Sequence, residues 1–190
     1  VRSADVGRYG ILKASGFVDY RPDAMRSHRK TARPGDRVRF ERPKVVVARM
    51  GHRLLAAFDA SGMFVKDAML LLHQHDDTNT LKIVTALLNS KVLGYVYRTH
   101  FVTIDVLKNA LLALPLPGVG GPLAQCDRLV PLIDQMLTLQ VSLIQIRTAE
   151  GMKMVQRQIE ATERRIDKLV YELYGLTDEE IRVVEESARP

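Results

Sequence analysis

Apolar and polar positions divide the chain into an irregular first third, a short region of β-type patterning and a long region of helical spacing. Lys44-Val45-Val46-Val47-Ala48-Arg49 is a β-branched run after Pro43, and Leu54-Leu55-Ala56-Ala57-Phe58 is a second apolar run closed by the turn signal Asp59-Ala60-Ser61-Gly62. These predict two strands, with a third beginning at Met63-Phe64-Val65. Beyond Thr80, residues Leu81, Val84, Leu87, Leu88 and Val92 recur at intervals of three and four, which predicts one helix to about Arg98 capped by Asn79 or Thr80. Residues 101–116, with Val102, Ile104 and Val106 ahead of Leu111-Leu112-Ala113-Leu114, are read as strand. Arg21 to Arg42, broken by Pro22, Pro34 and Gly35, is expected to be loop or short edge strand rather than helix.

Gly118-Val119-Gly120-Gly121-Pro122 forbids a regular element and marks a linker. Leu129, Leu132, Ile133, Met136, Leu139, Leu143 and Ile146 then make one apolar stripe, with Asp127 as candidate cap and Pro131 tolerable only in the first turn. Met152, Val155, Ile159, Thr162, Ile166, Leu169 and Leu173 make another. The short break between the stripes, at Thr148-Ala149-Glu150-Gly151, predicts an antiparallel pair. Gly175 is the expected left-handed stop, and Thr177-Asp178-Glu179-Glu180 is a capping box for a last short helix to about Glu186. The expected fold class is α+β. Residues 1–117 form a mostly antiparallel β domain with one packed helix, 118–126 a linker, and 127–190 a helical hairpin with a C-terminal helix.

Charge changes this picture by singling out the first third. The net charge of +6 is uneven: residues 1–53 hold 14 Lys and Arg against 5 Asp and Glu, while the remainder is net −3. A basic segment on an otherwise near-neutral body suits a polyanion partner. The lone Cys126 has no second thiol for a disulfide or a zinc framework, which points to a reducing compartment and hence the cytoplasm. Apolar runs such as Val45–Ala48 and Ala110–Leu114 fall far short of the roughly 18 residues that a membrane span needs. The chain opens on Val1 in a patterned stretch, from which further protein upstream is expected.

Catalytic motifs are missing from the pattern. There is no Asn-Pro-Pro-Tyr or Asp-Pro-Pro-Tyr of an amino-methyltransferase, and Gly118–Gly121 lacks the Lys-Ser/Thr of a phosphate loop. His73, His75, Asp76 and Asp77 are crowded but lack helical metal-ligand spacing, so they are read as a solvated loop, with no metal expected. Ser61 and Ser90 have no discernible His and acid partners. What remains is recognition. Arg29, Arg33, Arg49 and Arg53 flank breakers or strand ends and carry the rigid two-pronged donor that reads guanine. Lys30, Lys44, Lys66, His28 and His52 are the candidates for phosphate contacts.

Several blocks carry a resemblance. Gly7-Arg8-Tyr9, the run Pro43 to Arg49, Leu87-Leu88-Asn89-Ser90-Lys91-Val92-Leu93-Gly94-Tyr95-Val96-Tyr97-Arg98, Leu114-Pro115-Leu116-Pro117 and the tail from Ile159 to Ile181 resemble the TaqI-like C-terminal specificity domain. That domain occurs in Type IIG restriction enzymes and adenine-specific DNA methyltransferases. The resemblance implies that residues 1–117 are a target-recognition domain for double-stranded DNA. It also implies an N-terminal catalytic domain, fused or separate, that uses S-adenosylmethionine to methylate adenine N6, sometimes with a nuclease. The fragment itself is then no enzyme and holds no cofactor. Its helical pair resembles the spacer helices of Type I specificity subunits and is expected to pack against the catalytic domain or a second copy. The alternative is a coiled-coil assembly module of a restriction-modification complex, or half of a Type I specificity subunit.

Overall fold

The computed structural model describes residues 1–13, 16–31, 33–51, 53–66, 68–71, 77–101, 105–117 and 126–188. Among them the α+β class holds. Strands β1 (Lys44–Ala48), β2 (Ala56–Asp59) and β3 (Ala68–Leu71) form an antiparallel sheet of order β2-β1-β3. Val45 pairs with Phe58 on one side and Leu71 on the other, so β1 is central. Its unbroken apolar run has the physical cause expected of a strand covered on both faces. Val45 and Val47 enter the main core, while Val46 and Ala48 pack with Val6 and Ala57 in a second, smaller cluster. The third strand begins at Ala68, later than Met63-Phe64-Val65 suggested.

The exposed edge of β2 is partly covered by Tyr9. This buried residue takes a positive φ of 68°, donates its N–H to the Ala56 carbonyl (2.8 Å) and accepts from the Phe58 N–H (3.2 Å). Non-glycine residues seldom adopt that conformation, so the surrounding contacts must hold it.

Arg21–Arg42 is a correction to the loop expectation, because it contains α1 (Pro22–His28) and α2 (Arg37–Glu41). The supposed breaker Pro22 stands in the first turn of α1, where its missing N–H costs nothing. Asp36 caps α2 by accepting from the Val38 N–H at 3.1 Å, and Arg37 and Glu41 pair across one turn at 2.6 Å.

The single helix expected from Thr80 to Arg98 is two, α3 (Thr78–Asn89) and α4 (Lys91–His100). Ser90 separates them with a ψ of 152°; its hydroxyl donates to the Leu87 carbonyl at 2.6 Å and accepts from the Leu93 N–H at 3.3 Å. Apolar spacing runs through this junction, because both helices bury residues on either side of Ser90, so periodicity could not reveal it. The strand expected over 101–116 is replaced by α5 (Lys108–Leu112); an isolated bridge joins Met50 and Asp105, and 102–104 lie outside the described residues. The helix that packs against both β1 and β2 is α3.

The helical hairpin is α6 (Val130–Gln145), entered through a 3-10 turn at Asp127–Leu129, and α7 (Ala149–Tyr174). Asp127 makes no side-chain cap; it begins the 3-10 turn, and Pro131 lies in the first turn of α6. Thr148 caps α7 by accepting from the Gly151 N–H at 3.2 Å. At 26 residues, α7 is about 39 Å long. Gly175 ends it with a φ of 64°, and the Thr177–Glu180 capping box opens α8 (Asp178–Ser187). Helix α3 packs on β1 and β2 and also on α6, while α4 packs on α7 and α8. One apolar cluster thus runs from Val45 and Leu87 through Met136 to Ile166 and Val184. Among the described residues no helix is long and apolar enough to cross a membrane.

Candidate nucleic-acid interface

The cationic candidates fall on elements of different character. His28 ends α1, and Arg29, Lys30 and Arg33 follow it; all four are exposed. Arg29 is steadied by donating its Nε to Thr31 Oγ1 at 3.1 Å. Arg33 and Lys66, distant in sequence, line one groove together with Arg2. Arg49 and Arg53 are exposed on the connection from β1 to β2, whose start is fixed by the Arg49 N–H donating to Ser3 Oγ at 2.6 Å. His52 lies outside the described residues, as do His73, His75 and Asp76. Asp77 serves as the cap of α3, accepting from the Asn79 N–H at 3.0 Å.

Lys44 is a correction among the phosphate candidates. Its ammonium is wholly buried, 2.5 Å from Asp59 Oδ2, and it also donates to the Phe40 carbonyl at 2.5 Å. Asp59 further accepts from the Ser61 N–H (2.8 Å), the Ser61 hydroxyl (2.6 Å) and the Met63 N–H (3.0 Å). Burial by itself would push this carboxyl up, but the hydrogen bonds from Lys44 and Ser61 outweigh it and hold it below the usual range. An ammonium so enclosed cannot reach a phosphate. It joins the end of α2 to the β1–β2 pair.

A further cation stands near Arg53. Arg98 of α4 is half-buried and donates to the Ser187 carbonyl and hydroxyl, both at 3.2 Å. Desolvation, followed by repulsion from Arg53, lowers its pKa. Two guanidiniums near enough to repel make a locally positive surface that a phosphate would relieve.

The blocks that carried the sequence resemblance prove to be joints between the sheet and the helices. Arg8 donates to the Asn89 carbonyl at 2.7 Å and pairs with Glu163 of α7 at 3.1 Å. Asn89 grips β2 through Ala56, accepting its N–H at 3.1 Å and donating to its carbonyl at 2.7 Å. The Lys91 N–H donates to Asp167 of α7 at 3.0 Å, and the Lys91 ammonium meets Glu185 of α8 at 2.7 Å. Burial pushes the carboxyls of Asp167 and Glu163 up despite Lys91 and Arg8 nearby. These groups are structural, and among the described residues no buried side-chain polar atom is left without a partner.

Aromatic residues in the basic segment were also passed over. Phe40 stacks on Phe64 with centroids 4.7 Å apart, and Tyr20 leans on Phe64 at 5.0 Å. The available signal was the recurrence of Phe17, Tyr20 and Phe40 in a stretch rich in Arg and broken by Pro and Gly.

Two comparisons with known proteins bear on these observations. The sequence model of the TaqI-like C-terminal specificity domain matches residues 1–116. Among curated proteins, no significant match was found.

Proposed function

The chain belongs to the family of TaqI-like C-terminal specificity domains, and on that footing we propose that its exposed arginines choose the DNA site at which a partner enzyme acts. Such a domain carries DNA-sequence recognition in restriction-modification enzymes and is not itself the catalytic part. The observation that carries the reading is the exposure of Arg29, Arg33, Arg49 and Arg53 on loops in a segment of net charge +9. Arginines on loops held by a rigid scaffold can enter a groove and form paired bonds to guanine. Lys30, Lys66 and His28 hold phosphates, which fixes register without reading sequence. The partner is an N6-adenine methyltransferase, fused or separate, that binds S-adenosylmethionine in its own domain. A base must leave the stack before methylation, and contacts beside it offset that cost.

The test is the affinity of the 190-residue chain for duplex DNA across a salt series. Neutralising about four phosphates gives a slope of log K on log salt near −3.6. An affinity indifferent to salt would overturn the reading.

A second reading concerns the hairpin. Val141, Ile144, Met152 and Met154 are exposed near the turn between α6 and α7, and exposed apolar side chains there suit docking on the catalytic domain or a second copy. Solution mass by light scattering separates these two, because only self-association raises the mass of the isolated chain.

A further inference from the structure

The aromatic residues beside the sheet line an open groove of about 540 Å³. Phe40 and Phe64 give it a stacked floor, with Tyr20 tilted against Phe64 by 47°. The Tyr20 hydroxyl donates to the Gly35 carbonyl and so holds the Pro34-Gly35 wall in place. At the mouth stands Phe17 with its ring entirely in solvent, next to half-exposed Val18.

A scattered apolar side chain on a surface needs no explanation. Phe17 is different, because it borders an aromatic hollow whose described lining contains Arg2, Arg33 and Lys66 and no carboxylate. Flat apolar walls beneath a cationic rim match a planar, uncharged ring attached to an anionic backbone. A nucleobase with its flanking phosphates has that chemistry, and sequence-tolerant stacking on aromatic side chains is how single-stranded bases are held. The volume falls in the ordinary range of ligand sites.

We propose that this groove receives one unpaired nucleobase of the bound DNA, stacked against Phe17, with Lys66 on the adjoining phosphate. The inference rests on the DNA reading above and extends it, since paired bases within a duplex present no free face to stack. The groove therefore distinguishes DNA in which a base has left the helix from DNA in which none has. An apolar peptide and the methyl group of a paired thymine are the competing occupants, and neither would favour an unpaired base.

The experiment compares binding of the 190-residue chain to a fully paired duplex and to the same duplex carrying one bulged 2-aminopurine. The expected result is a preference of about fivefold or more for the bulged duplex, with 2-aminopurine emission quenched on binding. Phe17→Ala should bring the ratio of the two affinities close to one and abolish the quenching. Because Phe17 is fully exposed, an unchanged melting temperature is expected and verifies that the variant is folded. Equal, salt-dependent binding of both duplexes without quenching overturns the groove proposal and leaves the DNA reading standing. A preference that survives Phe17→Ala also overturns it. Absence of salt-dependent binding to either duplex overturns both.

Discussion

Lys44 and Asp59 face each other across the first register position of β1 and β2, 2.5 Å apart, with neither side chain more than 2% exposed. Together they close the hydrogen-bonding requirements of the α2 end and the Asp59–Met63 turn.

Removal of one partner strands the other in the interior. Lys44→Ala is expected to lower unfolding free energy by about 3–5 kcal/mol, as for other broken buried pairs. Denaturant unfolding measures it. A loss below about 1 kcal/mol would contradict the structural role and return Lys44 to the surface candidates.

The carboxyls give opposite pH signatures. Asp59 is held low in the fold, so its stabilisation is present above the ordinary value of 3.8 and disappears as pH falls through the lowered one. Asp167 is raised by burial, so folding takes up a proton and stability declines as pH rises from 3.8 toward the raised value. Around Asp167 stand Lys91, Arg8 and Glu185, of which only Glu185 adds to the rise. Asp167→Asn should flatten the decline between about pH 4 and the raised value. Melting curves across that range check it; an undiminished slope would assign the decline to Glu163, also raised by burial.

Base-reading and phosphate-holding cations separate by mutation. Alanine at Arg29, Arg33, Arg49 or Arg53 should cost about 1–3 kcal/mol on the cognate site and relax one base position, while Lys30→Ala or Lys66→Ala should weaken all sequences alike. Sequencing of sites modified by the full-length enzyme distinguishes the two. Unaltered preference in all four arginine variants would move base reading elsewhere, with Arg98 beside Arg53 the next position to try.

Within the hairpin, Ile159 is 4% exposed in the seam whereas Met154 is 60% exposed. Ile159→Asp removes a buried side chain and introduces an unpaired charge, and should cost at least about 3 kcal/mol. Met154→Asp should stay within about 0.5 kcal/mol. Equal effects in chemical denaturation would show that the seam has been misplaced.

The elements that could be read from sequence are those in which one physical signal dominates. Val45–Val47 was legible as a strand because it is a short β-branched run after Pro43, and the α6–α7 pair followed from two long stripes and a short break. The Gly175 stop and the Thr177–Glu180 box were legible because caps depend on a few adjacent residues. Errors arose where one residue type serves two ends. Pro22 stops a helix from behind and starts one from the front, and Ser90 both ends α3 and begins α4 within a continuous apolar pattern. At the interface, Lys44 looked like any other cation because its partner Asp59 is 15 residues away. The groove was invisible for the same reason, since Phe64 reaches Phe40 and Tyr20 only through the folding of the chain.

The joints formed by Arg8, Asn89, Lys91 and Asp167 all lie outside residues 16–42. That stretch meets the body through Lys44 and the Phe40, Tyr20 and Phe64 rings. Substitutions among its exposed arginines therefore leave the contacts between sheet and helices intact. On the proposed assignment of DNA reading to these arginines, new sequences could be tried there one residue at a time, by a lineage or by an engineer, with the scaffold kept folded throughout the search.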